Sequence, residues 1–429
     1  MLYERWATVA DGRRNELALR DTVSGQRWTY GELFQAGERA VVPIQSGMVH
    51  PRGHGADFLL TLLAGWRERR VVFPIEPGRS VPPIPTPPPW CVHLKSTSAT
   101  TGASRAVAFT EAQLAADAEN IVATMGLRAD WPNLGVISMA HSYGFSNLVL
   151  PLLLHGVPLI LAPSALPEVL KTASAGECGI TLAAVPALWR AWHESGSIPA
   201  NVRLAISAGA PLPLELEFAA FASHGLKIHN FFGSSECGGI AYDASDSPRA
   251  DDACAGTPVR GVNLSVNDVG CLMVRSDAVA EGYWPAPETT LGAGQFETSD
   301  FAELKNGQVF WRGRASDIIN VAGRKVSPLT IESALAGNPQ VRACLVFGVP
   351  ALDPDRAEDV VACVVPDGEF NPAALREFLS ARIPSWQMPR DWWIVDSLET
   401  NRLGKVSRAA WRRKYLERTA AARQTQTHE

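Results

Sequence analysis

A chain of 429 residues, 46% hydrophobic and 19% charged, is long enough for two or three domain-sized units with a substantial core. Its net charge of -5 gives no reason to expect nucleic acid or an anionic membrane as a partner. The seven cysteines stand far apart with no CxxC pair, which argues against a zinc or disulfide framework and for reduced thiols in the cytoplasm.

The N-terminal MLYERWATVADGRRNE places acids and arginines where a signal peptide needs an apolar core. No apolar run reaches the roughly 18–20 residues that span a bilayer, so no stable membrane insertion is expected. The longest run, 148–161, is broken by His155, Gly156 and Pro158 and reads as a buried core element. Short apolar runs at 71–75, 135–139, 158–162, 180–185, 204–207 and 227–231 alternate with helical patterns, predicting α/β units around a largely parallel sheet. The clearest helix covers 110–125, with Leu114, Ala118, Ile121, Val122 and Met125 on one face and a capping-box start at Thr110 and Gln113. Between them, VPPIPTPPPW at 81–90 can only be an extended connector. Beyond Asp300 a Gly-rich stretch leads into a second, smaller α/β pattern, with strands at 343–347 and 360–365 and a helix at 373–381. This divides the chain into 1–315, 316–415 and a polar tail, 416–429, expected to be frayed.

Five segments carry residues suited to chemistry. STSATTGASRAVAFT, from Ser96, is dense in hydroxyls and small residues; such a loop can aim backbone N–H groups and Thr hydroxyls at phosphate oxygens, with Arg105 adding charge. It is not a Walker A loop, since no GK[ST] follows the glycine, and read alone it is equally an ordinary polar turn. NFFGSSECGG, from Asn230, follows a strand; Glu236 there could hold a magnesium ion and Phe232 could stack on a base. Read alone, these are a surface glutamate beside a core phenylalanine. FETSDFAEL contains Asp300, and WRGRASDIINVAGRKVSP contains Arg314, Asp317, Gly323 and Arg324. Last comes TNRLGKVSR, with a Gly404-Lys405 turn.

In this order the five segments resemble the adenylate-forming superfamily of acyl-CoA synthetases, aryl-CoA ligases, nonribosomal adenylation domains and luciferases. They correspond to its TSGTTGxPKG, YGxTE, TGD, GRxDDxIKxxGxxVxPxEIE and GKVxR motifs. WTYGEL at Trp28, AHSYGF at Ala140, SAGAPL at Ser207 and GYW at Gly282 are similar to further family landmarks. The resemblance implies a large N-terminal α/β domain with mainly parallel sheets and a small β-rich subdomain, followed by a smaller, mobile C-terminal α/β domain.

It also implies roles. Thr97, Ser98, Thr100, Thr101 and Gly102 would cradle the ATP phosphates, with Arg105 in place of the family's lysine. Glu236 would ligate Mg²⁺, and Asn230, Gly233 and Ser235 would contribute to binding ATP and AMP. Gly209, Ala210 and Pro211 would line one face of adenine and Phe232 the other. Asp300, supported by Arg314, would hold the ribose, and Lys405 would stabilise the charge that develops as acyl-AMP forms. Ser316 would be the hinge. His141, Phe145, Phe231, Gly233, Gly238 and Gly239 would line the acid pocket, and 139–147 contains no carboxylate to pair with an amino-acid ammonium.

The chain departs from the family at Ala99, Ser104, Arg105, Ala106, Ser235, Ser299 and Ser316, and is shortened between Ala40 and Phe58. The expected activity is ATP-dependent formation of an acyl-AMP from a fatty or aryl acid and transfer of the acyl group to coenzyme A. The phosphopantetheine of an acyl carrier protein is the alternative acceptor, and a catalytically weakened nucleotide-binding regulator the alternative of another class. The assembly expected is a monomer or homodimer.

Overall fold

Thr110 caps the helix Glu111–Met125 in the computed structural model, its hydroxyl accepting from the Gln113 amide while the Gln113 side chain returns to Thr110. WTYGEL does the same: Thr29 and Glu32 form a reciprocal box that starts the helix Tyr30–Arg39. Each box satisfies amides that a helix start leaves without intrahelical partners. The structure describes residues 2–42, 47–96, 105–351, 357–368, 371–399 and 406–426. The chain divides into two units, Met1–Thr298 with Leu304–Phe310, and Ser299–Glu303 with Trp311–Glu429. No described helix is long and apolar enough to cross a membrane.

In the larger unit, strands Leu17–Asp21, Leu159–Leu161, Asn133–Gly135, Ile180–Ala184, Val202–Ser207 and Ile228–Ser234 lie side by side and parallel. Their faces bury Leu134, Ile160, Leu182, Trp189 and Trp192. Beyond Ile228–Ser234 the sheet continues antiparallel, through Gly238–Tyr242 and Cys254–Pro258. A second sheet runs Gly282–Trp284, Ala106–Phe109, His93–Ser96, Val71–Val72, Met48–Val49.

Two expectations shift. The run expected as a strand at 135–139 leaves the sheet at Gly135, whose carbonyl accepts from Ala162 N at 3.1 Å and contacts His54 Nε2 at 2.9 Å. The apolar run at 148–161 is a composite: the helix Leu150–His155, Gly156 in the left-handed conformation at its end, then the strand Leu159–Leu161.

The smaller unit has strands Val341–Pro350, Glu358–Pro366 and Asp391–Ile394. Alternation along the first sends Val346 into a core with Ile331 and Leu335, and Leu345 and Phe347 into another with Trp411 and Tyr415. Of the tail expected to be frayed, 416–426 belongs to the helix Arg408–Gln426, and 427–429 lie outside the described residues. Its alanines, arginines and glutamines are good helix formers, and Trp411 and Tyr415 anchor its first turns in the core.

The larger unit also buries a charge quartet. Glu217, fully buried, accepts from Arg249 Nε at 2.8 Å and from Lys227, and Lys227 also pairs with Asp243 at 2.5 Å. Arg249 donates on to the carbonyls of Leu212 (2.6 Å) and Cys254 (2.7 Å). Burial alone would raise the Asp243 carboxyl, but hydrogen bonds from Lys227 and Ser245 outweigh it and hold the pKa below the ordinary value. That contribution is complete above the ordinary aspartate pKa of about 3.9 and is lost as pH falls through the lowered value. Glu217→Gln removes the charge shared by both cations. It should cost about 3–5 kcal/mol, seen as a lower urea midpoint with an unchanged slope.

Candidate active site

Strands His93–Ser96 and Ala106–Phe109 pair antiparallel, Ser96 opposite Ala106, and bracket the loop 97–104. Thr97, Ser98, Thr100, Thr101 and Gly102 lie in that loop, outside the described residues, as does Lys405. The loop's flank is held from its other edge by Gly282–Trp284, with Gly282 opposite Ala108 and Trp284 opposite Ala106. Arg105 pairs with Glu288 and lays its guanidinium 4.2 Å over the Tyr283 ring, a stacking its flat cation favours.

Glu236 sits in a tight turn. Gly233 opposes Gly239 and Ser234 opposes Gly238, leaving Ser235, Glu236 and Cys237 to reverse the chain. Gly238 has φ +69, and a Cβ there would stand 1.9 Å from Asp117 Oδ1, so only glycine fits. The turn is fixed at three atoms of Glu236: its amide donates to Ser234 Oγ (3.2 Å), its carbonyl accepts from Ala280 N (2.9 Å), and Oε1 accepts from the Tyr283 hydroxyl (3.0 Å). Burial and then the Glu236 charge push the Tyr283 phenol up, so it remains a donor at neutral pH. The sequence noted GYW only as a landmark; Tyr283 is the site residue it missed, because a tyrosine's partner is a matter of tertiary position. Among the described residues no three His, Cys, Asp or Glu side chains form a metal cluster. One aimed carboxylate nonetheless suits Mg²⁺, which keeps waters and takes its other oxygens from phosphates.

Apart from Phe145, the remaining predicted residues of the larger unit gather near the carboxyl ends of neighbouring strands, where α/β sheets bind ligands. Gly209, at φ +86, turns the chain after Val202–Ser207, and Gly209 and Pro211 are exposed. Asn230 lies opposite Ser207 and donates to the Cys254 carbonyl at 3.3 Å; Phe232 is half-buried. His141 Nδ1 accepts from the Tyr143 amide at 3.3 Å, capping a helical turn. Tyr143 reaches the carbonyls of Ile206 (3.4 Å) and Ala184 (3.5 Å), with its ring 6.1 Å from Phe231. Gly239 lets Phe231 approach, since a Cβ would lie 3.1 Å from its ring. Phe145 is buried in the core, its ring 4.3 Å from His93. Nothing local in the sequence marks Tyr143, whose partners stand on strands of the sheet.

In the smaller unit Asp300 is buried, and its Oδ1 accepts from Trp311 Nε1 and Arg314 Nε, each at 3.0 Å. Ser316, exposed, hydrogen-bonds Asp317 at 3.4 Å. Arg408, from the same motif as Lys405, pairs with Asp317 (2.5 Å), grips Glu332 (2.7 and 2.8 Å) and donates to the Val346 carbonyl (2.7 Å).

A parallel sheet with a carboxylate turn at its strand ends, followed by a smaller α/β unit carrying the remaining motifs, is the architecture of an adenylate-forming enzyme. The chain belongs to the AMP-binding enzyme family: residues 64–284 match that family, and 330–405 match the AMP-binding enzyme C-terminal domain. It is 31% identical over 336 residues to a Mycobacterium tuberculosis protein named "Probable 2-succinylbenzoate--CoA ligase", covering 75% of this chain and 83% of that one. It is 27% identical to a feruloyl-CoA synthase of Amycolatopsis, covering 86% and 79%. The crystal structure of ATP-bound MatB from Rhodopseudomonas palustris superposes with a TM-score of 0.84 at 21% identity, over 97% of this chain and 99% of that one, and shares the fold. The protein is an AMP-forming acid–CoA ligase.

Gly238→Ala forces a side chain into a left-handed position and against Asp117. It should cost about 1–3 kcal/mol in backbone strain alone and displace Glu236. The expected result is a lower melting temperature with a steeper Mg²⁺ requirement for acid-dependent ATP–pyrophosphate exchange.

Proposed function

We propose that the acid activated here is aromatic. The observation that carries this is the Tyr143–Phe231 pair at the strand ends, beside a segment, 139–147, that has no carboxylate to receive a substrate ammonium. Flat apolar rings suit an aryl group. The relatives named for 2-succinylbenzoate, ferulate and 4-hydroxybenzoate or benzoate support the same choice.

In this reading the acid's carboxylate attacks the α-phosphorus of ATP, pyrophosphate leaves, and the thiol of coenzyme A then displaces AMP from the acyl carbon. Glu236 would hold Mg²⁺, with Tyr283 fixing the carboxylate; bound there, the ion would offset charge between the nucleophile and the phosphates. The hydroxyls and amides of Thr97, Ser98, Thr100, Thr101 and Gly102 hold the phosphates. Arg105, engaged with Glu288 and Tyr283, braces the base of that loop. Gly209, Ala210, Pro211 and Phe232 flank adenine, with Asn230, Gly233 and Ser235 shaping that edge. Asp300, steadied by Arg314 and Trp311, takes the ribose hydroxyls. His141, Phe231, Gly238 and Gly239 line the acid pocket together with Tyr143. Lys405 stabilises the negative charge that develops in the first half-reaction, in a C-terminal domain (316–415) that turns at Ser316 against the N-terminal domain (1–315) between steps.

Pyrophosphate exchange with a panel of benzoates, cinnamates and fatty acids tests the substrate class. Exchange should be fastest with an aryl acid, and a preference for long acyl chains would overturn that choice. Glu236→Gln should retain the fold while slowing exchange by about a hundredfold or more, most severely at low Mg²⁺; an unchanged Mg²⁺ dependence removes Glu236 from the metal site. Lys405→Ala should abolish exchange yet leave transfer from supplied acyl-AMP to coenzyme A within about twofold. Equal loss of both half-reactions would contradict the division of labour.

A further inference from the structure

Lys95 is the penultimate residue of His93–Ser96, the strand that runs into the loop 97–104. A lysine at the root of a phosphate-binding loop would be expected to point at phosphate. This one points inward: it is 3% exposed, its Nζ lies 3.1 Å from Ser146 Oγ and 3.4 Å from Asp117 Oδ2, and it rests 4.6 Å over the Phe109 ring. Ser146 Oγ donates to the same carboxylate oxygen at 2.6 Å. Asp117 is 1% exposed, and its other oxygen, Oδ1, accepts no hydrogen bond from the described residues. That oxygen faces Gly238, in the space where a side chain on the Glu236 hairpin would otherwise stand. His93, two residues before Lys95, is fully buried; burial and the Lys95 charge hold its imidazole well below the ordinary pKa, so it is neutral and adds no charge to the cluster.

A buried ion pair is weak ground for stability, because desolvation offsets most of the attraction, and a well-packed apolar pair is often as stable. What this pair does is geometric. Three segments converge on one carboxylate: the strand entering the phosphate loop through Lys95, the segment of the acid pocket through Ser146, and the turn of Glu236 through Gly238. We propose that Asp117 is a positioning residue that sets the phosphate loop and the Glu236 turn relative to each other, with Lys95 as its counter-ion and Ser146 as the link to the acid pocket. It touches no reacting atom and acts through Gly238 and Lys95. The proposal rests on the reading of 97–104 and Glu236 as the ATP-phosphate site, and it is independent of which acid is used.

The test separates geometry from stability. Lys95→Gln with Asp117→Asn replaces the ion pair with a neutral, similarly shaped pair, so a folded protein is expected, with a melting temperature close to that of the wild type. MgATP binding, measured by titration calorimetry without acid, should weaken roughly tenfold, and pyrophosphate exchange should fall by roughly ten- to a hundredfold, as small displacements of catalytic geometry do. Transfer from supplied acyl-AMP to coenzyme A should stay within about twofold, a split that general destabilisation would not produce. Ser146→Ala, which retains the ion pair and the fold, should slow exchange by about threefold or more by the same argument. A folded double variant with wild-type MgATP affinity and exchange would overturn the proposal, as would an unaffected Ser146→Ala if the double variant does not fold. A wild type that binds MgATP but rejects every aryl acid would count against the substrate reading alone and leave these binding comparisons decisive.

Discussion

The chemistry of the larger unit depends on one strand having two different kinds of neighbour. Ile228–Ser234 is parallel to Val202–Ser207 on one side and antiparallel to Gly238–Tyr242 on the other. Parallel pairing places its carboxyl end beside the other strand ends, where a ligand can lie against several loops at once. Antiparallel pairing forces the chain to reverse there within three residues, which sets Glu236 at the apex. Either pairing alone would give a strand end or a hairpin; together they put a fixed carboxylate at the mouth of the sheet.

A turn so short has little freedom, and its surroundings remove the rest. Gly282–Trp284 is the connecting piece. It pairs with Ala106–Phe109, the strand that follows 97–104, while Ala280 and Tyr283 just before and within it hold the Glu236 carbonyl and carboxylate. One edge strand therefore registers the strand Ala106–Phe109 and the Glu236 turn, which are more than a hundred residues apart in sequence. Backbone hydrogen bonds serve this purpose better than side-chain contacts, because a ladder shifts only in whole steps.

Much of this was legible in the sequence, and the limits have physical causes. The capping boxes at Thr29 and Thr110 were readable because they are local: donor and acceptor lie three residues apart. The motif order located Glu236 and the Gly209 turn just after strands, whereas Asp300, expected at a strand's end, lies in the middle of Gln295–Lys305. Tyr283, Trp311, Asp117 and Arg408 were not assigned roles, since a hydrogen bond across 47 residues, as from Tyr283 to Glu236, leaves no local pattern. Phe145 shows the opposite error: adjacent to pocket residues in sequence, it is carried by the helical turn into the core against His93. The tail after Leu416 looked frayed by polarity alone, but composition favoured helix and the preceding turns were anchored.

The quartet of Glu217, Lys227, Asp243 and Arg249 bears on how the protein responds to heating. Charged groups pay less to leave water as temperature rises, while burial of apolar surface gains little more. The contacts that join the Leu212 carbonyl, next to the Gly209 turn, to the Cys254 carbonyl run through Arg249. This brace beside the Gly209 turn is thus of the kind that warming weakens least. Apolar burial elsewhere in the unit gains little more on warming, so the desolvation cost of this quartet falls while the packing around it changes little.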